Sequence, residues 1–283
     1  MNKLPDIPLS RLIGYVEEDC PFGDVTSEAV ILPQVCTAMI SARESLVLAG
    51  LTEVTRLSEW YGLSVSTACS DGICHHAGDV IVTLTGQAHT ILLLERTLLN
   101  ILGRMSGIAT RARRMQDLVS AINPECRIAA TRKTAPGLRL MDKKAAMIGG
   151  ADPHRFSLSD AVLIKDNHRA LVSVDEAVRR AKAFSAYHRV EAEADTIDEA
   201  LLIAREGADI ILLDNMTPDQ VSQVISLLVK NDLRERVIIE VSGGITEETL
   251  ALYASLPIDR ISMGMLTHTV KNADFSLDIM KEG

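Results

Sequence analysis

Residues 190–214 read VEAEADTIDEALLIAREGADIILLD, and this stretch indicates the fold of the second half of the chain. Val190–Glu193 and Asp209–Asp214 are short runs typical of buried β-strands. Between them, Ile197–Glu206 carries apolar residues at helical spacing, and Thr196 stands where a helix N-cap is expected. A strand, a helix and a second strand in this order predict two parallel strands joined by a helical crossover.

The same alternation recurs along the chain after Pro124. The predicted strands are Cys126–Thr131, Val162–Asp166, Val190–Glu193, Asp209–Asp214, Val237–Val241 and Arg260–Met263. The clearest amphipathic helices between them are Val174–Ala183, Ile197–Glu206, Pro218–Val229 and Glu247–Leu256. Consecutive units of this kind, without a convincing nucleotide-binding glycine fingerprint, favour a closed or nearly closed parallel α/β barrel over a doubly wound sheet.

The chain before residue 89 has a different sequence pattern. Short extended runs there alternate with turn signals such as Asp71-Gly72 and Gly78-Asp79. His89–Ala121 then forms one long helical pattern, with no proline before Pro124. Because a helix of this length often connects domains or lines a subunit interface, we expect an N-terminal domain distinct from the barrel.

Composition excludes several classes of protein. The chain has 283 residues, of which 47% are hydrophobic and 24% charged, as in globular proteins with a sizeable core. Its 29 Lys and Arg against 38 Asp and Glu give a formal charge of −9, and with 3% aromatic residues a nucleic-acid partner is not expected. No apolar run reaches the roughly 20 residues of a membrane span. The N-terminus lacks a signal-peptide core and the five cysteines form no C-x-x-C motif, which predicts a cytoplasmic protein.

The segment CSDGICHH offers four zinc-type ligands within a short stretch, namely Cys69, Cys74, His75 and His76. Zinc sites usually combine a C-x₂₋₄-C pair with ligands on a second, separated arm. Adjacent histidines in an extended segment also point to opposite faces. We therefore interpret this segment as structural.

Polar side chains gather where each predicted strand of the barrel ends. The first two strands end in Thr131-Arg132-Lys133-Thr134 and Lys165-Asp166-Asn167-His168. The later strands carry or end in Glu191 and Glu193, Asp214-Asn215, Ser242-Gly243-Gly244, and Gly264. Catalytic groups of α/β barrels lie at the carboxyl ends of the strands. With His154 and Arg155 from the first crossover, this mixture suits an anionic substrate together with a developing positive charge or a divalent metal.

Each of these signals also has a structural interpretation. Asp214 could cap the helix that begins near Pro218, and Ser242-Gly243-Gly244 could be a flexible turn instead of an anion site. Glu191 and Glu193 are two residues apart, so both point to one face of their strand. If that face is inside the barrel, at least one of the two carboxylates needs a partner.

Several long motifs resemble the quinolinate phosphoribosyltransferase family. In the second half they are TRKTAPGLRLMDKKAAMIGG (131–150), HRFSLSDAVLIKDNH (154–168), IILLDN (210–215) and VSGGI (241–245). In the first half they are GDVTS (23–27), ARESLVLAG (42–50) and ERTLLNILGRMSGIAT (95–110). The resemblance covers essentially the whole chain, and its motifs are long and in order.

The resemblance implies an N-terminal α/β sandwich domain and an incomplete parallel α/β barrel. We expect the sandwich at residues 1–108, joined by the C-terminal tail at about 270–283, and the barrel at 109–269. It implies a homodimer in which one subunit's N-terminal domain covers the other's barrel mouth. The implied reaction joins quinolinate to 5-phosphoribosyl 1-pyrophosphate and yields nicotinate mononucleotide, pyrophosphate and CO₂, a step of NAD biosynthesis.

The resemblance also implies roles for individual residues. The basic pocket for the pyridine dicarboxylate would consist of Arg132, Lys133, His154, Arg155 and Lys165, with Arg96 added by the partner subunit. The ribose phosphate would be held by Ser242, Gly243, Gly244 and Gly264. Lys133, Glu193 and Asp214 would be catalytic, and the two acids would also bind Mg²⁺, partly through water.

One loop departs from the family pattern. The family often has Gly, Asn and Gly where this chain has Ala151, Pro153 and Ser157. Pro153 has no backbone N–H and restricts Asp152 toward extended geometry. The position of His154 and Arg155 is therefore the part of the site that the sequence constrains least.

Three other functions are compatible with parts of the sequence. The first is the paralogue of the same family that is associated with molybdenum uptake; Lys165 within LIKDNH and the full basic set favour the quinolinate enzyme instead. The second is a Schiff-base aldolase that uses Lys165 at a barrel strand end. The third is a non-catalytic protein that binds a phosphosugar or a pyridine.

Overall fold

The computed structural model describes residues 5–280 and divides into two compact units. The first unit contains the chain up to Arg113, Ala135–Gly150 and the chain from Thr269 onward. The second contains Arg114–Thr134 and Ala151–His268. The expected domain boundaries include residues 1–4 and 281–283, which lie outside the described residues.

The first unit is built on an antiparallel sheet of four strands, β1 (Val35–Ala42), β3 (Ser64–Ser66), β5 (Val80–Gln87) and β12 (Phe275–Ile279), in the order β12-β1-β5-β3. A separate pair is formed by β2 (Leu46–Val47) and β4 (Cys74–His75). Its helices are α1 (Leu9–Asp19), α2 (Val25–Val30), α3 (Leu51–Trp60) and α5 (Arg139–Ile148), and α4 (Ala88–Ser120) contributes residues to both units. The C-terminal strand β12 pairs with β1, with Ile279 opposite Ala38.

Helix α5 belongs to the first unit, whereas the sequence places its residues within the barrel region. The reason lies in its side chains. The buried Asp142 carboxylate accepts hydrogen bonds from Arg104 at 2.7 and 2.9 Å, and Lys144 pairs with Glu53 at 2.6 Å. Just after the helix, Gly149 lies against Ala109 so closely that a Cβ would stand 2.4 Å from the Ala109 carbonyl oxygen.

The second unit is a six-stranded parallel sheet, surrounded by helices, that forms an incomplete α/β barrel. The strands are β6 (Arg127–Ala129), β7 (Val162–Ile164), β8 (Val190–Ala194), β9 (Ile210–Asp214), β10 (Ile238–Ser242) and β11 (Arg260–Ser262). Their order is β6-β11-β10-β9-β8-β7, so β6 and β7 each have one neighbouring strand in this sheet. The helices are α6 (Asp166–Arg169), α7 (Val174–Phe184), α8 (Ile197–Arg205), α9 (Pro218–Lys230), α10 (Glu247–Ala254), α11 (Met265–His268) and the 3₁₀ turn Arg234–Arg236.

Local sequence signals explain where the crossover helices begin. Thr196 caps α8, because its side chain accepts a hydrogen bond from the Glu199 N–H. Thr217 and Gln220 form a reciprocal capping box at the start of α9, with Pro218 at the first helical position. These caps end the loops that follow β8 and β9, and thereby fix the loops that carry the polar residues of the barrel mouth. No helix within residues 5–280 is long and apolar enough to cross a membrane.

Candidate active site

Acidic and basic side chains meet at the carboxyl ends of β8 and β9. One carboxylate oxygen each from Glu193, Asp195 and Asp214 lies within 4.8 Å of the others. The Lys165 ammonium is 2.9 Å from Glu193 Oε2. We call these four residues and Lys133 the strand-end cluster. It forms because parallel strands in register bring their ends to one rim of the barrel: Asp214 of β9 lies opposite Ser242 of β10.

The charges of the strand-end cluster affect one another. Burial raises the pKa of Asp214, and the negative charge of Glu193 raises it further. The positive charges of Lys165 and Lys133 act in the opposite direction on the pKa of the same carboxyl. Lys165 is 45% exposed at its side chain while Glu193 is only 8% exposed, so the lysine faces solvent and its carboxylate partner does not.

Glycines that follow β10 and β11 make room for Asn215 and Lys133. A Cβ at Gly264 would stand 2.9 Å from Lys133 Cδ, and the Lys133 carbonyl accepts a hydrogen bond from Thr267 Oγ1 at 2.8 Å. Gly243 has a φ of +94°, and a Cβ there would lie 2.2 Å from Asn215 Oδ1. The strand-end backbone therefore approaches these side chains as closely as only glycine allows.

A second group of polar side chains lies deeper inside the barrel. His154 Nε2 is 3.2 Å from Glu240 Oε1 and 3.5 Å from Glu191 Oε2, and Ser262 Oγ donates a hydrogen bond to Glu240. Glu191 and Glu240 are 1% and 2% exposed. We call these four residues the barrel-interior cluster. Glu191 Oε1 is buried and has no hydrogen-bond partner within the described residues.

The loop before His154 is attached to β6 by its main chain. The Asp152 N–H donates to Ile128 O at 2.8 Å, and the Ala130 N–H donates to Asp152 O at 2.9 Å. The Asp152 side chain then accepts a hydrogen bond from the His154 N–H at 2.7 Å, across Pro153. His154 itself has a φ of +51°, a conformation that few non-glycine residues adopt. The departure of this loop from the family sequence is thus accommodated by an Asx turn.

Both ring nitrogens of His154 have protein partners. Nδ1 accepts a hydrogen bond from the Arg155 N–H at 2.7 Å, so the proton of the imidazole is on Nε2, facing the two glutamates. Burial raises the pKa of Glu191. A second proton on the His154 ring would lie on Nδ1 and remove the acceptor of the Arg155 N–H, so the imidazole is neutral and its Nε2–H faces the two glutamates.

Two arginines stand beside the barrel-interior cluster. Burial lowers the pKa of Arg155, and the positive charge of Arg132 lowers it further, while Glu191 acts in the opposite direction. Arg155 also donates a hydrogen bond to the Ala161 carbonyl at 3.4 Å. Arg132 has a buried Nε without a hydrogen-bond partner among the described residues. Two guanidinium groups that repel each other in this way favour the binding of an anion.

The structure brings some of the expected site residues together and leaves others apart. Lys133, Lys165, Glu193 and Asp214 share the strand-end cluster, and Ser242, Gly243 and Gly264 lie at the same strand ends. Gly244 has a φ of +59° and open space around it, and Arg96 is exposed on α4 in the first unit. Cys69, His75 and His76 have separate partners: Val80, Asp79 and Ser45. The two possible metal-ligand groups in residues 5–280 are the triads His154-Glu191-Glu240 and Glu193-Asp195-Asp214.

Sequence reasoning missed Asp195, Glu240 and Ser262, and it placed Asn215 at a strand end without a role. Asp195 could have been found, because Glu191, Glu193 and Asp195 follow one another at every second residue. Asn215 follows Asp214 directly and donates a hydrogen bond to its carboxylate at 2.6 Å. Glu240 and Ser262 each lie two residues from another polar residue of their own strand, Ser242 and Arg260, but this spacing does not show that Glu240 and Ser262 meet each other.

Comparisons with known proteins agree with this geometry. The model of the quinolinate phosphoribosyl transferase N-terminal domain matches residues 24–106, and that of the C-terminal domain matches residues 108–278. A probable nicotinate-nucleotide pyrophosphorylase [carboxylating] of Methanothermobacter thermautotrophicus is 42% identical, over 93% of this chain and 96% of that protein. The human nicotinate-nucleotide pyrophosphorylase [carboxylating] is 35% identical, over 98% and 93%. The crystal structure of NadC from Streptococcus pyogenes has a TM-score of 0.90 and 33% identity, over 98% of this chain and all of that one.

Proposed function

The chain belongs to the quinolinate phosphoribosyltransferase family, and we propose that it transfers the phosphoribosyl group of 5-phosphoribosyl 1-pyrophosphate to quinolinate. The products are nicotinate mononucleotide, pyrophosphate and CO₂, so the reaction supplies NAD biosynthesis. The observation that carries this proposal is the arrangement of Lys133 and Lys165 around Glu193 and Asp214 at one rim of the barrel. The molybdenum-associated paralogue is not favoured, since near-full-length relatives have the name of the carboxylating enzyme.

Quinolinate is a dianion, and the proposed pocket supplies the matching charge. Arg132 and Arg155 form a like-charged pair that an anion would relieve. Lys165 would exchange Glu193 for a carboxylate of the substrate, and Lys133 would approach from its place beside Gly264. His154 would serve the same pocket through its neighbour Arg155, because both of its ring nitrogens already have protein partners.

The acidic part of the strand-end cluster fits a hard divalent cation such as Mg²⁺. Three carboxylate oxygens within 4.8 Å are the donor type that Mg²⁺ prefers, and Mg²⁺ usually retains several waters beside one or two carboxylates. We assign Glu193 and Asp214 as its ligands, partly through water, with Asp195 beside them. The ion would neutralise the pyrophosphate group of the donor as charge develops on it.

The chemistry then proceeds in two steps. The ring nitrogen of quinolinate forms a bond to the anomeric carbon, while the C–O bond to pyrophosphate breaks and its electron pair leaves with pyrophosphate. Glu193 and Asp214 would stabilise the positive charge on the ribose ring, and Lys133 would stabilise the departing anion. The C–C bond to the adjacent carboxylate then breaks, CO₂ leaves, the electron pair remains on the pyridinium ring and that carbon takes a proton from water.

We further propose a cytoplasmic homodimer in which Arg96 reaches the partner's pocket. In the first unit, residues 22–35 expose several large apolar side chains, including Phe22 at 97% and Leu32 at 81%. Exposed apolar residues concentrated in one segment often mark a protein interface. The side chain of Arg96 is exposed as well and free to approach another subunit. All five cysteines are free thiols, which suits a reducing compartment.

One assay tests the proposed reaction. Purified protein is incubated with quinolinate, 5-phosphoribosyl 1-pyrophosphate and Mg²⁺, and nicotinate mononucleotide is the expected product. Nicotinate in place of quinolinate is the control, which we expect to fail because the missing carboxylate leaves pocket cations unpaired. Quinolinate binding without pyrophosphate release would instead indicate a non-catalytic binder. Borohydride trapping of a carbonyl compound on Lys165 would indicate a Schiff-base enzyme.

A further inference from the structure

The barrel-interior cluster places two carboxylates where the fold itself does not require them. Glu191 and Glu240 lie on β8 and β10, each two residues before the polar residue at the strand end. On β9, between these strands, Leu212 is the register partner of Glu240. The interior therefore accepts an apolar side chain at this level. A buried carboxylate costs free energy unless its partners compensate for lost water.

The partner that both glutamates share is His154. Its Nε2 faces Glu240 at 3.2 Å and Glu191 at 3.5 Å, and Ser262 holds the Glu240 carboxylate from β11. His154 thereby links its loop to three strands of the barrel. The left-handed backbone at this residue, with φ at +51°, is strained for a non-glycine residue, so the contacts of the ring must maintain it.

The ring of His154 in turn determines the position of Arg155. Its Nδ1 accepts the Arg155 N–H at 2.7 Å, a bond that needs both the ring orientation and the left-handed backbone. Arg155 lines the same cavity as His154, Glu191 and Glu240. A divalent cation on Nε2 does not fit this arrangement, because it would require the proton on Nδ1, where the Arg155 N–H already points.

We propose that Glu191 and Glu240 are positioning residues for quinolinate recognition: they hold the His154 ring, whose bond to the Arg155 N–H fixes the loop that carries Arg155. Neither glutamate would touch the substrate. The inference rests on the proposed function and deepens it. In this inference, selectivity for the dianionic pyridine depends on the buried barrel-interior cluster as well as on the residues that would contact the substrate.

The test compares three variants in steady-state kinetics with both substrates. Glu240→Leu removes the acceptor of His154 and Ser262, and we expect the KM for quinolinate to rise about tenfold or more while the KM for the phosphoribosyl donor changes less than about twofold. Glu240→Gln keeps an acceptor oxygen and should return the quinolinate KM to within about threefold of the parent. Ile239→Val is the matched control, since Ile239 is buried on the same strand but points to its other face. Ile239→Val should lower the Tm, but it should not raise the KM for quinolinate relative to the KM for the phosphoribosyl donor.

The outcomes distinguish this inference from the proposed reaction. If the parent makes no nicotinate mononucleotide, the proposed function is wrong. If the parent turns over and Glu240→Leu changes neither KM, or both equally, the positioning role is wrong. Should Glu240→Leu fail to fold, Ser262→Ala removes one bond to the same carboxylate without adding bulk. It should then raise the quinolinate KM about threefold and leave the donor KM unchanged, and an unchanged quinolinate KM would overturn the inference.

Discussion

Glu191 and Glu193 lie two residues apart on one strand and on one face of it, yet they have different surroundings. Glu193 is at the rim, where it pairs with a lysine that is 45% exposed and lies close to Asp195 and Asp214. Glu191 is one layer deeper, 1% exposed, and faces a histidine that is itself nearly buried. Depth along the strand therefore gives the same side chain two environments, an ion pair open to solvent at the rim and a contact with a largely buried histidine in the interior.

The largest expected effect belongs to the strand-end cluster. Asp214→Asn removes one of the proposed metal ligands, and we expect kcat to fall by about 10²–10³ with a weaker response to Mg²⁺. The measurement is turnover at saturating substrates over a range of Mg²⁺ concentrations. Activity that does not depend on Mg²⁺ would contradict the proposed role of the acidic residues. Glu193 and Glu191 would then differ in their surroundings but not in a metal-binding role.

The next effect concerns the exchange of partners by Lys165. Lys165→Ala should raise the KM for quinolinate by about 10–30-fold, since one charge-assisted contact to the dianion is lost. Lys182→Ala is the matched control, because Lys182 forms a similar pair with Asp209 at 3.1 Å in the same unit but away from the rim. Equal losses in the two variants would mean that Lys165 is only a structural ion pair.

The barrel-interior cluster should matter for stability as well. His154→Gln leaves two buried carboxylates poorly compensated, and we expect the free energy of unfolding to fall by about 1–3 kcal/mol at pH 6.5. Urea denaturation of parent and variant at that pH measures the difference. Equal free energies of unfolding would contradict the role of His154 as the partner that Glu191 and Glu240 share.

The smallest effect separates two neighbouring glycines. Gly243→Ala should lower stability by about 1–2 kcal/mol and weaken donor binding, because its Cβ would lie 2.2 Å from Asn215 Oδ1. A Cβ at Gly244 would meet open space, so Gly244→Ala should lower the free energy of unfolding by about 1 kcal/mol, mainly because of the positive φ at this position. Thermal unfolding and the KM for the phosphoribosyl donor distinguish the two. Equal effects would mean that the close approach to Asn215 does not shape the rim.

Much of this arrangement could be predicted from the sequence. The strand predicted at Asp209–Asp214 is observed as Ile210–Asp214, and the long helix predicted at His89–Ala121 is observed as Ala88–Ser120. Such elements have long, regular apolar patterns that tertiary contacts reinforce. The requirement for a partner at Glu191 or Glu193 also followed from their spacing, and both acids have one: His154 for Glu191 and Lys165 for Glu193. Helix α5 was not predicted, because its helical pattern is short and follows Pro136-Gly137 directly.

Local sequence patterns were sufficient to predict the alternation of strands and helices after Pro124, the carboxylates that share a face of β8, and the family motifs, because each of these depends on residues close together in the chain. The assignment of α5 to the first unit, the position of Asp195 beside Glu193 and Asp214, and the contacts of His154 with Glu191 and Glu240 depend on the three-dimensional fold. These are contacts between residues up to about ninety positions apart, such as Lys144 with Glu53 and His154 with Glu240. Their energies depend on burial and on the approach of charges, which local sequence patterns do not specify.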